Sequence, residues 1–89
     1  MIEKQLTIIN KLGLHARATA KLIGVTNNFS CKIQLSKEGR SVDGKSIMSV
    51  MMLAASQGTV LDISCDGEDE DKAMDAIEAL INDKFGEGE

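Results

Sequence analysis

Tryptophan, tyrosine and proline do not occur in this 89-residue chain, and phenylalanine occurs only as Phe29 and Phe85. Without aromatic side chains to stack on bases, and with a net charge of −4, no nucleic-acid platform is expected. Cysteine is almost as scarce: Cys31 and Cys65 lie far apart and fit no metal-ligand spacing. They are expected to be buried, reduced thiols facing one core, with no metal and no cofactor. No apolar run approaches the ~20 residues that span a bilayer. The start, Met1-Ile2-Glu3-Lys4-Gln5, lacks a charged-then-apolar signal layout. The expectation is a cytoplasmic protein without membrane contact, residues 1–89 forming one domain with an ordinary hydrophobic fraction of 43%.

Charge is present but unevenly placed. Residues 1–50 hold eight Lys and Arg against three Asp and Glu, a balance of +5, whereas residues 51–89 hold two against eleven, a balance of −9. The one histidine, His15, lies in the basic half, where a positive surrounding suits an anionic group or an acidic partner. The acidic half reads as a solvated face that keeps a small protein in solution.

Apolar spacing gives the order strand, helix, strand, strand, helix, strand, helix. Ile2, Leu6 and Ile8 alternate with Glu3, Gln5 and Thr7, a half-buried strand in which Lys4 is the exception. Thr19, Leu22, Ile23 and Thr26 recur at helical spacing from Ala16 to about Asn27. Cys31, Ile33 and Leu35 begin a hairpin that turns at Lys37-Glu38-Gly39 and returns through Arg40 to Val42. A short helix apolar nearly all round is predicted over 46–55, stopping at Gln57-Gly58. A strand with Leu61, Ile63 and Cys65 inward follows. Ala73, Met74, Ile77, Leu80, Ile81 and Phe85 then form the stripe of a last helix, with a frayed tail from Gly86. Strands with one apolar face each predict an α+β open-faced β-sandwich, a four-stranded antiparallel sheet with three helices on one face (βαββαβα).

His15 falls in Gly13-Leu14-His15-Ala16-Arg17-Ala18, between the first strand and the first helix. Gly13 permits a sharp turn there. His15 stands in the N-cap slot that Ser, Thr, Asp or Asn would normally fill, which points to a pressure other than capping. The head of a helix exposes unpaired N–H groups and about half a positive charge. That field disfavours an imidazolium and leaves a neutral ring with a lone pair to attack phosphorus. A phosphoryl group on the ring would lie where the N–H groups of Ala16, Arg17 and Ala18 converge, within reach of a bidentate Arg17 guanidinium. A shallow, exposed site suits a carrier, because a group held too tightly could not be passed on. The plainer reading is a surface histidine beside a solvated helix charge.

The run Gly13-Leu14-His15-Ala16-Arg17 resembles the active-site signature of the histidine-containing phosphocarrier (HPr) family of bacterial phosphotransferase systems, Gly-Leu-His-Ala-Arg-Pro-Ala, at its first five positions. A second run, Asp43-Gly44-Lys45-Ser46-Ile47-Met48, is similar to that family's regulatory-serine signature, and length and element order agree over the whole chain. The resemblance implies that enzyme I, itself charged from phosphoenolpyruvate, phosphorylates His15 on Nδ1. The group then passes to an enzyme IIA, with Arg17 assisting both steps. The protein would be a monomeric covalent carrier rather than an enzyme with its own turnover. The family's proline is Ala18 here, which keeps an N–H donor beside the phosphate, and a slightly different transfer potential is expected.

By the same resemblance the second helix joins the first around His15 as a docking face, with Lys21, Gly24, Asn27, Ile47, Met48, Met51 and Met52 contributing. A short helix buries one stripe, expected to be Ile47, Val50 and Leu53 or a neighbouring set, so methionines remain exposed, and adaptable methionine surface suits several weak partners. Ser46 fits an N-cap. In the family a dedicated kinase phosphorylates this serine in some bacteria, and a serine kinase/phosphorylase is a possible further partner; phosphate there would add negative charge to the docking face. A sugar-uptake carrier, a nitrogen-branch regulatory form and a module that binds without accepting phosphate all remain open at this point.

Overall fold

The strands and helices follow the predicted order in the computed structural model, which describes residues 1–88. They are β1 (Ile2–Thr7), α1 (Ala16–Thr26), β2 (Lys32–Lys37), β3 (Arg40–Asp43), α2 (Ile47–Met52), β4 (Val60–Asp66) and α3 (Glu70–Asn82), followed by a 3-10 turn at Lys84–Gly86. The sheet order is β1-β4-β2-β3 with every neighbouring pair antiparallel. Because β1 and β2 both pair with β4, they run the same way, as a right-handed β-α-β crossover arranges them. The register sets Leu6 opposite Leu61, Leu35 opposite Ile63 and Ile33 opposite Cys65, which stacks the apolar side chains on one face. These residues share one core with the buried faces of the helices. Lys4, the charged exception in the alternation, lies on the edge strand β1 and its ammonium reaches Glu78 of α3 at 2.9 Å.

The hairpin turn has Glu38 and Gly39 at φ of 51° and 83°, the pair of left-handed residues that matches the twist of the flanking strands. The second helix is shorter than expected. It ends at Met52 because Ala54 takes a φ of 52°, which breaks the helical hydrogen-bond ladder well before Gln57-Gly58. Val50 and Leu53 fill the core, while Ile47, expected inward, is 42% exposed.

The last helix also stops earlier than its apolar stripe. α3 buries Ala73, Met74, Ile77 and Ile81 and ends at Asn82. Lys84 and Phe85 then both adopt left-handed φ, and Phe85 is fully buried. Left-handed backbone costs about 1–2 kcal/mol per residue; burying a phenylalanine returns about 1.5–3 kcal/mol, and the ammonium of Lys21 donates to the Phe85 carbonyl at 2.6 Å. The tail is therefore not frayed at Gly86. Gly86 N donates to the Asp83 carbonyl and Glu87 N to the Lys84 carbonyl, at 2.9 and 3.0 Å.

Cys31 and Cys65 are buried on the same core, and burial pushes both thiols up, Cys65 to about 11. Nearby, the Asp69 carboxylate at the head of α3 accepts from the backbone N–H groups of Ser30 and Cys31 at 2.8 and 3.0 Å. The Ser30 bond holds this carboxyl below its usual range. A carboxyl with a lowered folded pKa adds stability above its unfolded value and loses it as pH falls through the folded one. Asp69→Asn is thus expected to lower the melting temperature at neutral pH, with the gap to wild type closing below about pH 4; a constant gap down to acid pH would contradict the clamp. Phe85→Ala is expected to cost about 3–5 kcal/mol in urea unfolding.

Candidate functional site

The junction between β1 and α1 is shaped by close backbone contact. Gly13 has a φ of 67°, and a Cβ at that position would lie 2.5 Å from the Ala55 carbonyl oxygen. The next residue, Leu14, donates its N–H to that same oxygen at 2.8 Å, and its own carbonyl accepts from the Thr19 hydroxyl at 3.1 Å. These bonds turn the chain so that His15 becomes the N-cap of α1. Its carbonyl accepts from Thr19 N at 2.9 Å while its ring makes no capping bond. The ring is left partly open, with 29% of the side chain exposed. The N–H groups of Ala16, Arg17 and Ala18 are in the turn that has no intrahelical acceptors. Ala16 and Arg17 are exposed and Ala18 is buried.

An open cleft of about 490 Å³ is lined by Lys11, Leu12, His15, Ala16, Arg17 and Glu87. Within it, His15 Nε2 is hydrogen-bonded to Glu87 Oε2. The other carboxylate oxygen accepts from Asn10 Nδ2 at 3.0 Å, and Asn10 Nδ2 also donates to the Gly13 carbonyl at 2.8 Å. The Asn10 bond holds the Glu87 carboxyl below the usual range, with smaller contributions from His15 and Lys21. The basic surrounding expected from the first half of the chain is thus met by a carboxylate from the acidic half.

Sequence reasoning missed Asn10, Leu12 and Glu87. Asn10 carried a usable signal: it continues the inward phase of Leu6 and Ile8 and is fully buried, and a buried amide needs partners. Leu12, 68% exposed beside the ring, had no periodicity to reveal it. Glu87 was unreachable without the left-handed turn at Phe85.

The remaining predicted residues divide by position. Leu14 contacts Ala55 beyond the end of α2, while the Thr26 hydroxyl bonds the Gly44 carbonyl before its start at 2.8 Å, so α1 and α2 lie side by side and run oppositely. Ile47, Met48, Met51 and Met52 are all exposed on α2. Gly24 and Asn27 are exposed on and just after α1, whereas the Lys21 ammonium is engaged with Phe85. Ser46 caps α2, accepting from Ser49 N at 3.3 Å and donating to Ser49 Oγ at 3.0 Å. It sits at the end of α2 away from the junction that holds His15. Among the described residues no group of three His, Cys, Asp or Glu could hold a metal ion, and no helix is long and apolar enough to cross a membrane.

A family model described as the PTS HPr component phosphorylation site matches residues 2–83. The phosphocarrier protein HPr of Cupriavidus necator is 56% identical over the full length of both chains. That of Pseudomonas aeruginosa is 55% identical, covering 96% of each chain. Among solved structures, HPr from Thermoanaerobacter tengcongensis superimposes with a TM-score of 0.95 at 44% identity, covering 98% of each chain. The Gly13 geometry makes a local prediction: Gly13→Ala should cost about 1–3 kcal/mol or more, since it adds left-handed strain to a clash with Ala55. Equilibrium unfolding in urea measures it, and a wild-type midpoint would contradict the tight junction.

Proposed function

The chain belongs to the HPr family of phosphocarriers, and on that premise we propose that His15 accepts a phosphoryl group on Nδ1 from enzyme I and passes it to an enzyme IIA. The observation that carries this reading is the half-open imidazole at the head of α1, next to N–H groups that have no intrahelical acceptors. A phosphate on the ring gains those donors and the positive end of the helix dipole. Arg17, exposed two residues on, adds a bidentate guanidinium. All of these contacts are shallow, which keeps the stored group transferable. The protein acts as a monomeric carrier in the cytoplasm rather than as a catalyst with its own turnover, its whole length serving as one carrier domain.

The docking face is the α1–α2 side, where Leu12, Met48, Met51 and Met52 are exposed. Ser46 is the regulatory position. Phosphate on its hydroxyl would replace the cap to Ser49 and bring negative charge to the end of the docking face without entering the His15 cleft. This favours an effect on partner affinity over an effect on the chemistry of the ring.

Incubation with phosphoenolpyruvate and either a sugar-branch or a nitrogen-branch enzyme I is expected to place acid-labile phosphate on His15, located by mass spectrometry; His15→Ala should take none. Absence of label with both donors would leave only a binding module. Arg17→Lys is expected to slow transfer by roughly tenfold or more, the equivalent of one charge-assisted hydrogen bond. Ser46→Asp should slow acceptance from enzyme I, and Ser46→Ala should cost about 1 kcal/mol of stability through the lost cap.

A further inference from the structure

We propose that Glu87 is the positioning residue of the phosphoacceptor: its carboxylate, oriented by the Asn10 amide, keeps the His15 proton on Nε2 and so leaves Nδ1 with the lone pair. This deepens the carrier reading and rests on it for its consequence, though not for its geometry. Glu87 Oε2 meets His15 Nε2, and Glu87 Oε1 meets Asn10 Nδ2 at 3.0 Å. An ionised carboxylate only accepts hydrogen bonds, so the nitrogen facing it must be the protonated one. Asn10 cannot be turned over, because its Nδ2 already faces two oxygens, that of Gly13 and that of Glu87. Exchanging the amide atoms would set oxygen against both. Lys21 contributes positive charge near the carboxylate, and Lys11 and Arg17 line the same cleft.

The transfer step balances without a proton leaving the ring. The Nδ1 lone pair forms the N–P bond as the bond from phosphorus to the phosphorylated donor protein breaks, its electron pair returning to the donor. The proton stays on Nε2, so the acceptor ring gains positive charge, and that charge faces the Glu87 carboxylate. In the onward step the N–P electron pair returns to Nδ1 and the neutral ring is restored with the same tautomer. This is the orienting role a carboxylate plays for a histidine base, here applied to a nucleophile.

Two variants separate this role from a structural one. In Glu87→Gln, Asn10 selects the amide oxygen, which turns the NH2 toward His15. Nε2 must then accept, and the proton moves to Nδ1, where it blocks the lone pair. Glu87→Ala simply releases the ring. The nearly isosteric glutamine should therefore be the worse variant. Acceptance from enzyme I is expected to fall roughly tenfold in Glu87→Ala and further in Glu87→Gln. Nitrogen-15 NMR of the lone histidine, on the unphosphorylated full chain with the ring neutral, should show Nε2–H in wild type and Nδ1–H in Glu87→Gln. An Nδ1–H wild type, or a glutamine variant that transfers as well as or better than the alanine one, overturns the proposal. The NMR comparison decides it even if wild type took no label from any donor, a result that would sink only the carrier reading.

Discussion

Two hydrogens on one buried amide tie this site together. Asn10 lies where β1 has run out, fully inside the protein, and its Nδ2 donates once to the Gly13 carbonyl and once to Glu87. The first bond fixes the turn that presents His15 at the head of α1; the second brings a carboxylate to the far edge of the same ring. Remove the amide and both the strand-to-helix junction and the C-terminal turn lose their common partner. An unpaired group at that depth is costly, so the two segments are coupled through it.

The C-terminal segment reaches the site by trading backbone strain for burial. Lys84 and Phe85 accept left-handed conformations because the Phe85 ring has a place in the core and its carbonyl takes the Lys21 ammonium. A residue that the helical stripe would have kept on α3 instead ends it and reverses the chain. The reversal carries Glu87 to His15. Core packing at one end of the protein therefore sets the electrostatics of a surface site.

The same surface is shallow. The imidazole is partly open at the head of a helix, and the neighbouring apolar surface is methionine and Leu12 rather than a deep pocket. Shallow contacts of this kind stabilise a charged group only modestly. Ser46 stands at the end of α2 away from the junction that holds His15, so its hydroxyl and the imidazole occupy separate parts of the α1–α2 side.

What the residues determined alone was whatever depends on local spacing. Period-two alternation in β1, β2 and β4, helical spacing in α1 and α3, the hairpin turn at Lys37-Glu38-Gly39 and the motif around His15 act over a few residues, and all were legible as sequence. The ends of α2 and α3 were not: Ala54 and Phe85 both leave the helix through left-handed φ, and for Phe85 the reason is a ring packed in the core, which no local propensity encodes. The inward stripe of α2 was legible in part: of Ile47, Val50 and Leu53, the last two are buried and Ile47 is exposed. The partnership of Asn10, His15 and Glu87 spans 77 positions from the first to the last. Only the folded chain could decide it, because hydrogen bonds are selected by proximity in space and proximity over that range is set by the core.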